Sequence, residues 1–143
     1  MGDEGLKLTE QEMEYISLFE RMTETRAKDC IVDGDSVVFV VRNGDVGKAI
    51  GKEGANVERF ERKTGTSVEV VEHSEVPEVF VANAFQPAAV EEVEIEETDE
   101  GTVARVEVDD EDKGLAIGVD GTNFDRAERL ARRHHGVDEV VLI

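Results

Sequence analysis

The sequence has no tryptophan, one tyrosine, one cysteine and two prolines, and aromatics make up 5% of it. So few aromatics argue against a platform of rings for stacking bases. The single Cys30 excludes an internal disulfide. Placed in Cys30-Ile31-Val32, it reads as a buried strand residue. No apolar run approaches the roughly 20 residues of a membrane span, and Met1–Glu14 is polar, without the apolar core of a secretion signal. A soluble, cytoplasmic protein with no membrane partner is expected. There is no nucleophile-elbow sequence. His134-His135 has no cysteine or carboxylate at metal spacing and reads as a polar pair at a helix end. His73, at a junction between two halves, is expected to be solvated. Gly47 to Glu53 superficially suggests a phosphate loop. However, three residues rather than four separate Gly47 from Gly51, and Glu53 follows Lys52 where serine or threonine is needed. No cofactor, metal or catalytic set is expected, and the chain is not read as an enzyme.

Positive charge is also scarce. Sixteen lysines and arginines face 35 aspartates and glutamates, a formal net charge of -19. Ordinary nucleic-acid binders are basic, because neutralising phosphates supplies most non-specific affinity. Taken alone, this balance speaks against nucleic acid. Disorder is not implied, since 39% of residues are hydrophobic and recur with helical or alternating period. The acid covers every expected element and is not gathered in a tail. Lysine is rarer than arginine, six against ten. Acidic surfaces poor in lysine fit a halophilic, salt-rich cytoplasm.

What the chain does contain is a repeat. Asp45-Val46-Gly47-Lys48-Ala49-Ile50-Gly51-Lys52-Glu53-Gly54-Ala55-Asn56 aligns with Asp112-Lys113-Gly114-Leu115-Ala116-Ile117-Gly118-Val119-Asp120-Gly121-Thr122-Asn123 at a constant offset of 67, with seven of twelve positions identical. Arg59 and Arg126, and Gly34 and Gly101, keep the same offset. The repeat divides the chain into residues 1–73 and 74–143.

Both halves predict the order helix, two strands, two helices, strand. In the first, Thr9 and Glu12 form a capping-box pattern and Leu8 with Met13 a hydrophobic staple. Met13, Ile16, Phe19 and Met22 supply the apolar stripe. Strands are expected over Asp29–Val32 and Ser36–Arg42, hinged at Asp33-Gly34-Asp35. A short helix over Asp45–Ile50, a helix carrying Val57, Phe60 and Thr64, a stop at Gly65 and a strand over Ser67–Glu72 follow. In the second half, Pro77 suits a first helical turn, although Val79-Phe80-Val81 also favours a strand. Strands near Val90–Glu97 and Thr102–Asp109, a short helix, a helix through Ala131, a stop at Gly136 and the strand Val137–Ile143 complete it. The Phe60 helix should be about one turn shorter than its counterpart.

Each Ile-Gly-x-x-Gly segment joins a short helix to a longer one. Glycines permit the tight turn and remove side chains that would block close approach. The following helix offers unpaired N–H groups and a positive dipole end, where phosphate can dock. The alternative is a helical hairpin whose glycines serve only the turn; two copies in the same element order favour the phosphate reading.

Ala49-Ile50-Gly51-Lys52-Glu53-Gly54 and Ala116-Ile117-Gly118-Val119-Asp120-Gly121 resemble the signature of KH domains, and the element order resembles their type II arrangement. The pair, from about Leu8 to Ile143, resembles the archaeal NusA-like transcription factor family. The resemblance implies an α+β fold of two tandem type II KH domains, each a three-stranded sheet packed against helices. It also implies that the Gly-x-x-Gly loop clamps about four nucleotides of single-stranded RNA while an apolar groove takes the bases. Carried over, Gly51, Lys52, Glu53 and Gly54 form the first clamp, with Ile50 and Val57 lining its groove and Lys48 and Arg59 beside it. Ile117, Gly118, Val119, Asp120 and Gly121 form the second, with Arg126 and Arg129 downstream. Glu53 and Asp120 depart from the cationic loop that would help phosphate binding, and the second loop has no cation.

The charge conflict has a partial answer here. Residues 42–63 carry six basic against four acidic residues, and residues 122–135 four against two, so ten of the sixteen cations lie in or beside the clamps. Ordinary pairing along a helix surface, as between Glu58 and Arg62, is the competing explanation. The expected function is single-stranded RNA binding by a transcription elongation or termination factor acting on nascent RNA, with RNA polymerase a candidate further partner. Two alternatives remain: a ribosomal or ribosome-assembly KH protein, and an acidic protein-interaction module with degenerate clamps.

Overall fold

A computed structural model of the chain describes residues 7–143. Two compact units are present, one running to His73 and one from Ser74 to Ile143. The first comprises α1 (Glu10–Thr23), β1 (Ala27–Asp33), β2 (Ser36–Val41), α2 (Val46–Ile50), α3 (Ala55–Thr64) and β3 (Ser67–Glu72). Its sheet has the order β1-β2-β3, with β1 antiparallel and β3 parallel to β2. The α2–α3 segment is therefore the crossover that a parallel pair requires.

Helix α1 begins with the expected capping box. The Thr9 hydroxyl accepts from the Glu12 N–H, and the Glu12 carboxylate accepts from the Thr9 N–H, both at 3.0 Å. The second Glu12 oxygen accepts from the Val32 N–H at 3.0 Å, tying α1 to β1 and burying Glu12. Glu12 thus takes an inward place. Met13, expected on the core face and in a staple with Leu8, is instead 52% exposed. The stripe that packs on the sheet is Tyr15, Ile16, Leu18, Phe19 and Met22. Phe19 stacks on Phe39 with ring centres 3.9 Å apart, and Phe60 from α3 meets both edge-on. Cys30 is fully buried in β1. His73, expected to be solvated, is buried, and its backbone N–H continues the β3–β2 pairing by donating to the Val41 carbonyl at 2.8 Å.

The second unit repeats the plan with α4 (Pro77–Ala84), β4 (Val90–Thr98), β5 (Gly101–Val108), α5 (Lys113–Ile117), α6 (Thr122–His135) and β6 (Glu139–Leu142). Its sheet order is β4-β5-β6, again with an antiparallel then a parallel pair. The ambiguous Val79-Phe80-Val81 segment is helical, and Phe80, Val81 and Ala84 are buried, with α4 packed against α6. Helix α6 continues one turn past Ala131 to His135. The His134 and His135 rings lie 5.1 and 5.4 Å from Phe80, and His135 Nε2 is 2.9 Å from the Ser74 carbonyl. With 14 residues against 10, α6 exceeds α3 by the turn expected.

One carboxylate device recurs in both units, its glutamates at the repeat offset. Glu61 on α3 accepts from the Val68 N–H at 2.8 Å, and Glu128 on α6 accepts from the Val140 N–H at 3.0 Å. Each fastens the long helix to its own closing strand. No helix among the described residues is long and apolar enough to cross a membrane.

Candidate nucleic-acid interface

Each Gly-x-x-Gly segment joins the short helix to the long helix of its unit. In the first, α2 ends at Ile50. Gly51 then adopts φ 83°, ψ 167°, Glu53 φ 55°, ψ 30°, and Gly54 φ 79°, ψ 12°, before α3 starts at Ala55. In the second, Gly118 has φ 80°, ψ 173°, Asp120 φ 57°, ψ 26°, and Gly121 φ 75°, ψ 12°. The loops are the same backbone object built twice. The dihedrals of the first glycine belong to a region open essentially to glycine alone. Glu53 and Asp120 occupy the left-handed region that non-glycine residues adopt at a cost of roughly 1–2 kcal/mol. Strain at matching positions of two copies marks these loops as functional candidates.

An asparagine and an arginine brace each loop. Asn56 Nδ2 donates to the Lys48 carbonyl at 3.0 Å, satisfying a carbonyl at the C-terminal end of α2. Its Oδ1 accepts from Arg59 Nη1 at 3.2 Å. In the second copy, Asn123 Nδ2 donates to the carbonyls of Leu115 and Ala116 at 3.1 and 3.2 Å and to that of Phe85 at 3.3 Å. Arg126 Nη2 donates to Asn123 Oδ1. Asn56 and Asn123 are absent from the set predicted from sequence, although both lie among the coincident positions of the repeat; that coincidence was the available signal.

Of the predicted residues in the first unit, Lys48, Lys52, Glu53 and Arg59 are exposed, and Ile50, Gly51, Gly54 and Val57 are half-buried. Val57 packs against the hydrophobic core, so its apolar surface is shared between core and loop. Neither Lys48 nor Lys52 enters a salt bridge among the described residues, whereas Arg42, Arg105 and Lys113 pair with Asp45, Glu96 and Asp110. In the second unit, Ile117, Val119, Asp120 and Arg129 are exposed, and Gly118, Gly121 and Arg126 are half-buried. The loop geometry is thus kept while its outward chemistry changes. Lys48 and Lys52 give way to Leu115 and Val119, which are 51% and 80% exposed. Among the described residues no three His, Cys, Asp or Glu side chains converge as metal ligands.

The comparisons with known proteins agree with this geometry. A family model described as the NusA-like second KH domain matches residues 77–138, and a KH-domain model matches residues 14–83. A protein of Halobacterium salinarum named "Probable transcription termination protein NusA" is 46% identical over 96% of this chain and 98% of its own length. Proteins of the same name from Halococcus morrhuae and Methanocaldococcus jannaschii are 43% and 31% identical, covering 94% and 96% of this chain and 96% and 75% of their own. A solved structure described as "Crystal structure of APE1850" superposes with a TM-score of 0.79 at 34% identity, covering 95% of this chain and all of that one.

Proposed function

The chain belongs to the NusA-like family of KH-domain proteins, and on that premise we propose that it binds single-stranded RNA and acts on nascent transcripts in elongation or termination. The observation that carries this reading is the first loop. Its backbone is one that glycine alone follows easily, it leads into α3, and Lys48 and Lys52 stand exposed beside it. A phosphate at this turn would meet the positive end of α3 and both ammonium groups. The Asn56-braced Arg59 supplies a third cation, and Ile50 offers apolar surface to a base. The names of the relatives support the step from RNA to transcription.

The acidic remainder of the molecule is compatible with this role. Salt-rich surroundings reduce the gain from counterion release, so backbone hydrogen bonds and base burial carry more of the affinity. In this reading the protein works by binding in the cytoplasm, its two domains are residues 1–73 and 74–143, and RNA polymerase is the partner that brings it to nascent RNA. Crosslinking RNA to the protein in cells and sequencing it tests the proposal. Enrichment of nascent transcripts is expected; enrichment of pre-ribosomal RNA would replace it with a ribosome-assembly role.

A further inference from the structure

The two loops match in backbone and bracing but not in surface. Of the seven large apolar side chains that stand well exposed among the described residues, Leu115 at 51%, Ile117 at 44% and Val119 at 80% fall within one five-residue stretch. Single exposed apolar residues are ordinary; three within one short helix and the turn after it concentrate apolar surface at this end of the unit. The Gly118–Gly121 turn keeps the backbone of the first loop, while the side chains it presents to solvent are apolar in place of cationic.

The charge around this stretch has also changed. Residues 42–58, around the first loop, carry three basic and three acidic residues. The matching residues 109–125 carry one basic residue, Lys113, and six acidic ones: Asp109, Asp110, Glu111, Asp112, Asp120 and Asp125. The single lysine is already bridged to Asp110 at 3.0 Å. Over these residues the first segment is neutral and the second has a net charge of -5; Arg59 and Arg126, each held by its asparagine, add one cation to each and leave the difference unchanged. An RNA backbone approaching Val119 would meet Asp120 in the loop and four consecutive acids just upstream. A partner with apolar side chains next to cations would gain from both features.

We propose that the second Gly-x-x-Gly surface is a docking site for a protein segment that presents apolar side chains beside lysine or arginine. Leu115, Ile117 and Val119 supply the apolar contact, and the flanking carboxylates select the charge of the incoming segment. At high salt only carboxylates in direct contact with the incoming charge select it, and the apolar contacts carry the affinity. At molar ionic strength screening acts over about 3 Å, which weakens the charged contacts more than the apolar ones. The first loop binds RNA and the second binds protein, so one molecule can connect a transcript to another component.

Amide shifts of the isotope-labelled full chain, followed by NMR at molar salt, test this with three probes. They are a short single-stranded oligoadenylate, an amphipathic peptide of leucine and lysine, and the same peptide with glutamate for lysine. The leucine–lysine peptide should shift Gly114–Thr122 most, with at least a severalfold weaker response to the glutamate peptide, and RNA should shift the first loop only. Replacing Leu115→Lys and Val119→Lys, which restores the residues of the first copy, should abolish the peptide response; the spectrum itself reports folding. Peptide shifts scattered over the acidic surface, peptide shifts untouched by the double replacement, or RNA shifts of equal size in both loops would overturn the docking site. RNA that shifts neither loop would count against RNA binding and leave the peptide arms to decide this proposal.

Discussion

A methyl group on Gly51 would stand 2.9 Å from both the side-chain Cγ and the backbone nitrogen of Asn56. Gly118 has the same relationship to Asn123, with 2.8 Å to its Cβ and backbone nitrogen. Nothing lies within 4 Å of a methyl on Gly54 or Gly121. The two glycines of each signature therefore do different work. The first admits the braced asparagine, and the second only supplies a left-handed turn.

Gly51→Ala should accordingly destabilise the first unit more than Gly54→Ala. The latter is expected to cost roughly 1–2 kcal/mol, the penalty for a side chain in left-handed backbone. The former adds a steric clash, for an expected total of about 3 kcal/mol or more. Because the clash includes the backbone nitrogen, Asn56→Ala should not rescue Gly51→Ala. Denaturant unfolding of the three variants checks the order; equal losses would show that Asn56 yields freely.

The loops were legible in the sequence because glycine spacing and the helix signals around it are local. The order of elements was legible for the same reason, and the repeat fixed the correspondence between halves. What escaped was set by contacts distant in the chain. Glu12 looks like a surface residue until its carboxylate meets the Val32 N–H, 20 residues away, and that contact leaves Met13 outside. Asn56 reaches back eight residues to the Lys48 carbonyl, and no propensity or period encodes that reach. His73 reads as a solvated junction residue, since strand pairing past Glu72 leaves no mark on composition.

Salt should stabilise the protein, and the second sheet shows one reason. Glu92 on β4 lies directly opposite Glu107 on β5, and like charges in that relationship repel. With a net charge of -19, such repulsions are poorly screened when the Debye length is about 10 Å and well screened when it is about 3 Å. Thermal unfolding by circular dichroism should show a higher midpoint at molar salt than at about 0.1 M. Glu107→Lys should stabilise by roughly 0.2–1 kcal/mol at the lower salt and by less at the higher. A midpoint that ignores salt would remove the case for halophilic adaptation.

The pH dependence near β4 has a definite sign. The Glu91 carboxyl is held above its ordinary value of 4.5 by a hydrogen bond shared with the Asp109 side chain and by the negative charge of Asp109, with a smaller effect from Glu107. A raised carboxyl value means that the folded state holds this proton more tightly than the unfolded chain does. Its contribution therefore lowers stability as pH rises from about 4.5 through the folded value, and stability stays lower above it. Glu91→Gln removes the repulsion, so this variant should melt higher than the parent at pH 7. The two should converge as the pH falls below that window, where Glu91 is protonated in both states. Melting curves at several pH values check this; a constant difference would indicate a packing effect instead.

The final prediction ranks the two loops for RNA. Lys52 lies within the first loop, and Lys48 sits one helical turn before Gly51. The second loop has Val119 and Asp120, with Leu115 where Lys48 stands in the first copy. Replacing Lys52→Asp together with Glu53→Asp removes a cation and adds an anion while keeping both glycines. A hydrogen bond to a charged group contributes roughly 1.5–3 kcal/mol, so affinity for a short single-stranded RNA should fall about tenfold or more. Val119→Asp makes the second loop chemically equivalent to that variant but removes no cation. It should weaken binding by less than about threefold, under 1 kcal/mol. Arg126 and Arg129, one braced by Asn123 and the other exposed, do not reverse the ranking, because Arg59 holds the place of Arg126 in the first copy. Binding would be measured for both variants at a fixed molar salt concentration, with folding followed separately by circular dichroism. Equal losses, or a larger loss from Val119→Asp, would show that loop cations do not decide where RNA sits.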